Sequence, residues 1–164
     1  AGDLPTAAAL YQIVAAVDPG YVTAARGLAR CRAASGDVPG ALAAYDHIPA
    51  THRAHAVAQV DAVRTLMGAG RFVDAADRLQ ALPVDPRHRA ELEADLFEAA
   101  LTALAAGSFN PARGDRIGGR EVDERGLRRG AEDALRRLAR LTPDPARRTA
   151  IVDRANSVRP RTIL

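Results

Sequence analysis

The chain has 164 residues, with 48% hydrophobic side chains, 4% aromatic side chains and a net charge of +3; this length suffices for one domain with a sizeable core. No apolar run approaches the roughly 20 residues that span a bilayer, and no charged segment followed by an apolar stretch indicates a signal peptide. The single cysteine, Cys31, excludes an internal disulfide, so a reducing, cytoplasmic setting fits best.

A pattern of apolar residues recurs every 34 residues. A small turn residue is followed by an alanine five positions on, a large apolar residue four further and another apolar residue three after that. The three copies are Gly2, Ala7, Tyr11 and Val14; Gly36, Ala41, Tyr45 and Ile48; and Gly70, Ala75, Leu79 and Leu82. Steps of four and three share one helical face, and 34 is the period of the tetratricopeptide (TPR) repeat. We therefore predict an all-α, TPR-like helix–turn–helix superhelix of about four repeats.

Eight helices are predicted, and glycine, proline and capping residues mark most of their ends. The helices cover about residues 4–16, 20–34, 38–48, 52–67, 72–82, 87–106, 127–141 and 145–158. They form one domain with repeats at about 1–19, 20–53, 54–87 and 88–143, and with a capping helix at about 144–158. Thr51 is a plausible cap, and Pro19 occupies the proline position that closes a repeat. Aspartates at helix starts are interpreted as caps, not catalytic carboxylates: Asp3, Asp18, Asp37 and Asp85.

The register slips between the sixth and seventh helices. Residues 107–125 are rich in glycine, arginine and acids, and they predict a long loop or insertion. Loops of this length in a compact domain are often functional or mobile. The pattern resumes at Gly126, Ala131, Leu135, Leu138 and Pro143. One alternative function is therefore an enzyme of unknown type with a site in this loop, which ordered loop residues around a pocket would favour.

Three segments of the chain are similar in sequence to a known protein family. They are YVTAARGLARCRAASGDVPGALAAYDHIP at 21–49, GLRRGAEDALRRLARL at 126–141 and TAIVDRANSVRPRTIL at 149–164. These segments resemble the C-terminal TPR domain of the actinobacterial serine/threonine protein kinase G family, and VD-x-AN-x-VRP is the most specific string. The resemblance covers nearly the whole chain, and the loop at 107–125 departs from it most.

The resemblance implies a parent protein with a rubredoxin-like metal module, a kinase domain and a TPR domain, of which this chain is similar only to the last. It implies that the parent phosphorylates serine or threonine with ATP and magnesium. The chain has no Gly-rich loop after a strand, no H-R-D stretch and no D-F-G motif, so we predict no catalytic residue and no cofactor within it. The expected roles are regulation, homodimerisation and contact with the kinase domain or its substrates.

The alternative to a kinase segment is a free-standing TPR adaptor that binds acidic peptide partners. A start methionine and a complete first helix would favour this adaptor. The chain begins with alanine and opens on what looks like the second helix of a repeat, so we expect it to be part of a longer protein.

The best candidate for partner binding is the concave groove that the first helix of each TPR repeat lines. The inward positions are Thr23, Arg26 and Arg30 on the second helix and Val57, Val60 and Arg64 on the fourth. Arg26 and Arg30 are four residues apart and share one face. With Arg64 they could form a fork for carboxylates or phosphates. The competing interpretation is that these arginines are solvated or paired with local acids such as Asp61.

Histidine and cysteine are interpreted structurally. His52 and His55 have helical spacing and lie near His47, but no carboxylate or thiol supports them, so no metal site is predicted. Cys31 stands between two arginines, which could lower its pKa. A lone helical cysteine is more often a small core residue.

The arginines of the last 40 residues form a basic segment. Residues 125–164 hold 11 arginines and 4 acids, whereas residues 1–124 hold 12 arginines and 16 acids. The basic side of the seventh helix carries Arg128, Arg129, Arg136, Arg137 and Arg140. Because no aromatic residues stand nearby to stack bases, a solvated helix face is favoured over a nucleic-acid site.

Overall fold

The computed structural model describes residues 3–18 and 20–160. This part of the chain contains eight helices: α1 (Leu4–Val17), α2 (Val22–Ala34), α3 (Val38–Asp46), α4 (His55–Gly68), α5 (Phe72–Ala81), α6 (Pro86–Ala105), α7 (Glu124–Arg140) and α8 (Pro145–Val158). The all-α, TPR-like prediction is confirmed. Gly2, Pro19 and the tail 161–164, on which parts of the prediction rest, lie outside the described residues.

Three of the predicted aspartate caps are confirmed. The carboxylates of Asp3 and Asp37 accept hydrogen bonds from backbone N–H groups in the first turns of α1 and α3. Asp85 accepts from the N–H groups of His88 (3.0 Å) and Arg87 (3.1 Å) at the start of α6. The bond from His88 is the main reason that the pKa of Asp85 is lowered, since both bonds stabilise the charged form.

Two predicted caps are wrong. Asp18 follows α1 instead of starting α2, and its carboxylate accepts a hydrogen bond from the Gly20 N–H. Thr51 does not cap α4, which starts at His55 without any side-chain cap. Residues 49–54 form turns instead, closed by bonds from the His52 N–H to the Pro49 carbonyl and from the His55 N–H to the His52 carbonyl. These backbone bonds hold the segment in turns, so the helix begins only at His55.

The described residues belong to two compact units, an N-terminal unit that ends at Ala69 and a C-terminal unit that begins at Gly70. The prediction that the repeats form a single domain stays a prediction. In the N-terminal unit, α1 packs against α2, α2 against α3 and α3 against α4. In the C-terminal unit, α6 packs against α5 and α7, and α7 packs against α8.

The later copies of the repeated pattern contribute to the core of both units, whereas Val14 of the first copy is 40% exposed. Gly36 and Gly70 adopt positive φ values of 84° and 73°, which a turn at these positions requires. The apolar members of the later copies are all buried: Ala41, Tyr45, Ile48, Ala75, Leu79, Leu82, Ala131, Leu135 and Leu138. Gly126 differs from the other turn glycines, because α7 starts two residues earlier at Glu124 and encloses it.

The segment 107–125 is not the plain loop that the sequence predicts. Arg116–Ile117 (β1) pairs antiparallel with Arg120–Glu121 (β2) across a two-residue turn. The turn residues Gly118 and Gly119 have φ values of 55° and 77°, which suits a primed hairpin turn. Ile117 is 1% exposed, and β1 and β2 contact α5 and α7 respectively. The insertion is therefore an ordered hairpin that packs on the C-terminal unit.

Candidate functional site

The six residues predicted to line the groove all lie on α2 and α4 of the N-terminal unit. Thr23, Arg30, Val57 and Arg64 are exposed, whereas Arg26 is half-buried. Val60 is 5% exposed. It packs within the unit and does not offer a surface to a partner.

Arg26 is held by an acid on the neighbouring helix. Its Nη2 lies 2.6 Å and its Nε 3.2 Å from Oδ2 of Asp61. The two side chains are only 33% and 20% exposed. From the sequence, this pairing is the alternative to a free guanidinium. The ion pair joins α2 to α4 and removes Arg26 from the set of unpaired cations.

Tyr45 lies close to the same charges. Burial raises the pKa of the Tyr45 phenol, and a hydrogen bond with the Thr65 side chain opposes this effect. The charge of Asp61 also raises this pKa, and those of Arg30 and Arg26 lower it. The sequence indicates Tyr45 only as a member of the repeated apolar pattern, and that pattern does not include Thr65. The position of Thr65, one helical turn after Asp61, is the signal that would have placed it here.

The positive charge of this surface resides on two arginines. Among the described residues, neither Arg30 nor Arg64 forms an ion pair with an acid. Arg26 and Asp61 neutralise each other, so the net charge of the four groups is +2. The surface therefore offers two guanidinium groups, not three, to carboxylates or phosphates.

The other candidates from the sequence have local partners. Nδ1 of His55 lies 2.8 Å from the Ile48 carbonyl, and Nδ1 of His52 accepts a hydrogen bond from the Ala54 N–H at 3.0 Å. Cys31 is buried. Within residues 3–18 and 20–160, no three histidine, cysteine, aspartate or glutamate side chains are grouped as a metal ion would need. No helix in those ranges is both long and apolar enough to cross a bilayer.

Acidic side chains pair with three of the arginines on the basic side of α7. Nε of Arg128 lies 2.8 Å from Glu124, and Nη2 of Arg136 lies 2.8 Å from Glu132. Arg137 pairs with Glu93 of α6. The pairing neutralises much of the charge that a nucleic-acid phosphate would need.

The hairpin lines a cavity of about 500 Å³ in the C-terminal unit. Arg120 of the hairpin pairs with Asp133 of α7, and Arg137 pairs with Glu93 at the same cavity. The ordered loop and pocket that the enzyme alternative requires are thus present. However, the described residues that line the cavity include no serine, threonine, tyrosine, histidine or cysteine. The carboxylates of the lining include Asp77, Glu93 and Asp133, of which Glu93 and Asp133 pair with arginines.

Comparisons with known proteins agree with the fold. Residues 2–162 match the family model described as protein kinase G tetratricopeptide repeat. The serine/threonine-protein kinase PknG of Mycolicibacterium smegmatis is 36% identical over 159 residues, which cover 92% of this chain and 20% of that protein. The protein of the same name from Mycobacterium leprae is 36% identical over 163 residues, covering 94% and 21%. The chain spans about a fifth of the length of these curated relatives.

Proposed function

Since the chain belongs to the protein kinase G tetratricopeptide repeat family, we propose that it is a non-catalytic regulatory segment of a cytoplasmic serine/threonine protein kinase. It acts by binding proteins, among them the kinase domain of the same protein and the substrates of that domain. The ATP and magnesium chemistry belongs to the kinase domain and not to this chain.

The observation that supports binding is the pair of arginines on α2 and α4. Arg30 and Arg64 are exposed and have no acidic partner among the described residues. Thr65, which follows Arg64, donates a hydrogen bond from its hydroxyl to the Asp61 carbonyl, and the Asp61 carboxylate pairs with Arg26. A partner with acidic or phosphorylated side chains matches this surface, because guanidinium groups bind both types of oxyanion in a fixed geometry.

We predict that Arg30→Glu combined with Arg64→Glu weakens binding of an acidic peptide at least tenfold. Each substitution replaces an attractive charge with a repulsive one on an exposed side chain. The measurement is fluorescence anisotropy with a fluorescein-labelled peptide of alternating glutamate and serine. A glutamine and serine peptide serves as the neutral control.

The matched protein control is Arg129→Glu with Arg140→Glu, which makes the same change in net charge on exposed positions of α7. This control variant is expected to bind as the wild type does. An equal loss of binding in both double variants would show long-range attraction to total charge and would contradict a site on α2 and α4. Higher salt should weaken wild-type binding, since the contacts are exposed.

A second observation concerns self-association. Leu10, Ile13, Val14 and Val17 of α1 recur at helical spacing and are 40–82% exposed. No residue of α1 is fully buried. Contiguous exposed apolar surface of this kind marks protein interaction sites. We propose that this α1 stripe pairs two copies of the chain or docks on the kinase domain.

We expect light scattering to give a molar mass near twice 17.3 kDa at high protein concentration. Ile13→Glu should return the mass to that of the monomer, because it places a charge in the α1 stripe. Ala56→Glu, which places the same charge at an exposed position of α4, is the control and should leave the mass unchanged. A mass that stays at 17.3 kDa at every concentration would contradict self-association. The kinase domain would then be the partner to test on α1.

A further inference from the structure

The N-terminal unit contains an open cleft between α1 and α3, with α2 at its base. The cavity measures about 270 Å³. Its walls are apolar at Ala25, Leu28 and Ala43, and its polar lining groups belong to Gln12, Arg32 and His47. We call this the α1–α3 cleft. Small-molecule sites usually measure about 300–1,000 Å³, so the cleft suits a single large side chain.

This cleft and the hairpin-lined cavity occupy the same place in the repeat. In the repeat, α5 is the counterpart of α1 and α6 is the counterpart of α2. When the inserted residues are left out of the count, α7 is the counterpart of α3. Residues at equivalent positions line both cavities: Gln12 and Gln80, Ala25 and Glu93, Leu28 and Leu96, Ala43 and Asp133, His47 and Arg137. The two spaces are therefore internal copies of one another, each within its own unit.

In the C-terminal unit, the chain's own hairpin covers this place and forms one of its walls. The hairpin contacts α5 through β1 and α7 through β2, and its Ile117 side chain is buried. Gly118 lies against the ring of Phe97. Arg120, three residues after Ile117, pairs with Asp133 on the α7 wall. One buried aliphatic side chain and one charged side chain thus anchor a tight turn there.

The α1–α3 cleft lacks the acidic side chains that line its copy. Ala43 replaces Asp133, and no acid lines the cleft. Arg32 is its charged group: Nη1 donates to the Gly40 carbonyl at 3.1 Å, and Nη2 lies 3.5 Å from Oε1 of Gln12. The nearest carboxylate, Asp37, is 3.9 Å from Nε of Arg32. Arg32 therefore retains the capacity to bind a further carboxylate.

We propose that the α1–α3 cleft binds a turn of a partner protein that inserts one isoleucine, leucine or valine side chain and carries an aspartate or glutamate three residues later. Such a turn is a charge-inverted counterpart of the chain's own hairpin. The site is independent of the proposed binding to Arg30 and Arg64. Ala25, Leu28 and Arg32 face one side of α2, whereas Arg26 and Arg30 face the other.

The test uses cyclic peptides of residues 115–122 titrated into the 15N-labelled 164-residue chain. We expect the peptide with Arg120→Glu to change the NMR shifts of residues that line the α1–α3 cleft. The changes should saturate with a Kd below about 1 mM, which is expected for a weak contact with one anchoring side chain. The unchanged peptide should bind at least fivefold more weakly, because its arginine faces Arg32. A peptide that also carries Ile117→Ala should bind at least tenfold more weakly, because the aliphatic anchor is lost.

The protein variant is Ala43→Phe, which fills the cleft from an exposed position of α3. It should weaken binding of the Arg120→Glu peptide at least tenfold, while Ala56→Phe, the same change at an exposed position of α4, should not. Three outcomes would each overturn the proposal. The two peptides that differ only at Arg120 bind equally, the NMR shift changes are confined to residues 70–160, or no saturable binding is observed. If Ala43→Phe instead lowers the molar mass of the chain, the occupant is a second copy and the proposed partner is wrong.

Discussion

Replacing Ile117 with alanine is expected to lower the free energy of unfolding of the C-terminal unit by about 2–5 kcal/mol, the usual cost of such truncations in a packed core. Ile117 is almost fully buried, yet it belongs to a two-residue strand that has little stability of its own. The loss should therefore release the whole hairpin from α5 and α7. Urea denaturation measures the energy, and amide hydrogen exchange locates the change.

The control is Glu121→Ala, on the exposed side of the same hairpin. Its effect should stay within about 0.5 kcal/mol, as for most surface substitutions. In the Ile117→Ala variant, we expect faster exchange at β1 and β2, with α8 much less affected. A loss below about 0.5 kcal/mol would mean that the hairpin does not pack on the unit as described.

Gly130→Ala is expected to destabilise the C-terminal unit, although alanine favours a helix over glycine by roughly 1 kcal/mol. A Cβ atom at this position of α7 would lie closer than 3.0 Å to the ring of Phe97. Phe97 is itself buried, so its ring would have to shift toward the cavity that it lines together with Gly130. Overpacking of this kind costs about 1–3 kcal/mol, and the severe overlap favours the upper end. Denaturant unfolding gives the value.

Two variants separate the clash from helix propensity. Gly68→Ala in α4 adds a Cβ that meets no atom within 4 Å, so it should stabilise the chain or leave it unchanged. Combining Gly130→Ala with Phe97→Leu should cost less than the sum of the two single changes, because the shorter side chain relieves the overlap. Simple additivity of the two losses would disprove the proposed contact.

The elements that the sequence predicts best are those defined by helical periodicity. The buried series Ala41, Tyr45 and Ile48 and its later copies were identified by spacing alone, and the range of α8 matches the prediction. Each of these positions depends on neighbours within one or two helical turns. The sequence contains that information, because apolar spacing determines which face of a helix is buried.

The features that the sequence does not predict, or leaves open as alternatives, depend on shorter or longer separations. The strands of the hairpin have two residues each, too few for an alternating pattern, although a Gly-Gly pair such as Gly118 and Gly119 is typical of a hairpin turn. The partner of Arg26 is Asp61, 35 positions away on another helix. Which of several acids an arginine meets depends on how two helices pack, and periodicity within each helix cannot determine this.

The place of the hairpin in the repeat affects how the chain length can vary. Gly126 follows Gly70 by 56 residues and not 34, yet Ala131, Leu135 and Leu138 remain buried as in the shorter repeats. Loop-closure entropy rises by only about 0.6 kcal/mol for each doubling of a connection. The segment between α6 and α7 is thus a position where sequence added outside the packed residues of the hairpin need not disturb the helices. Homologues should differ in length there, and a fluorescent reporter inserted there should leave the fold intact.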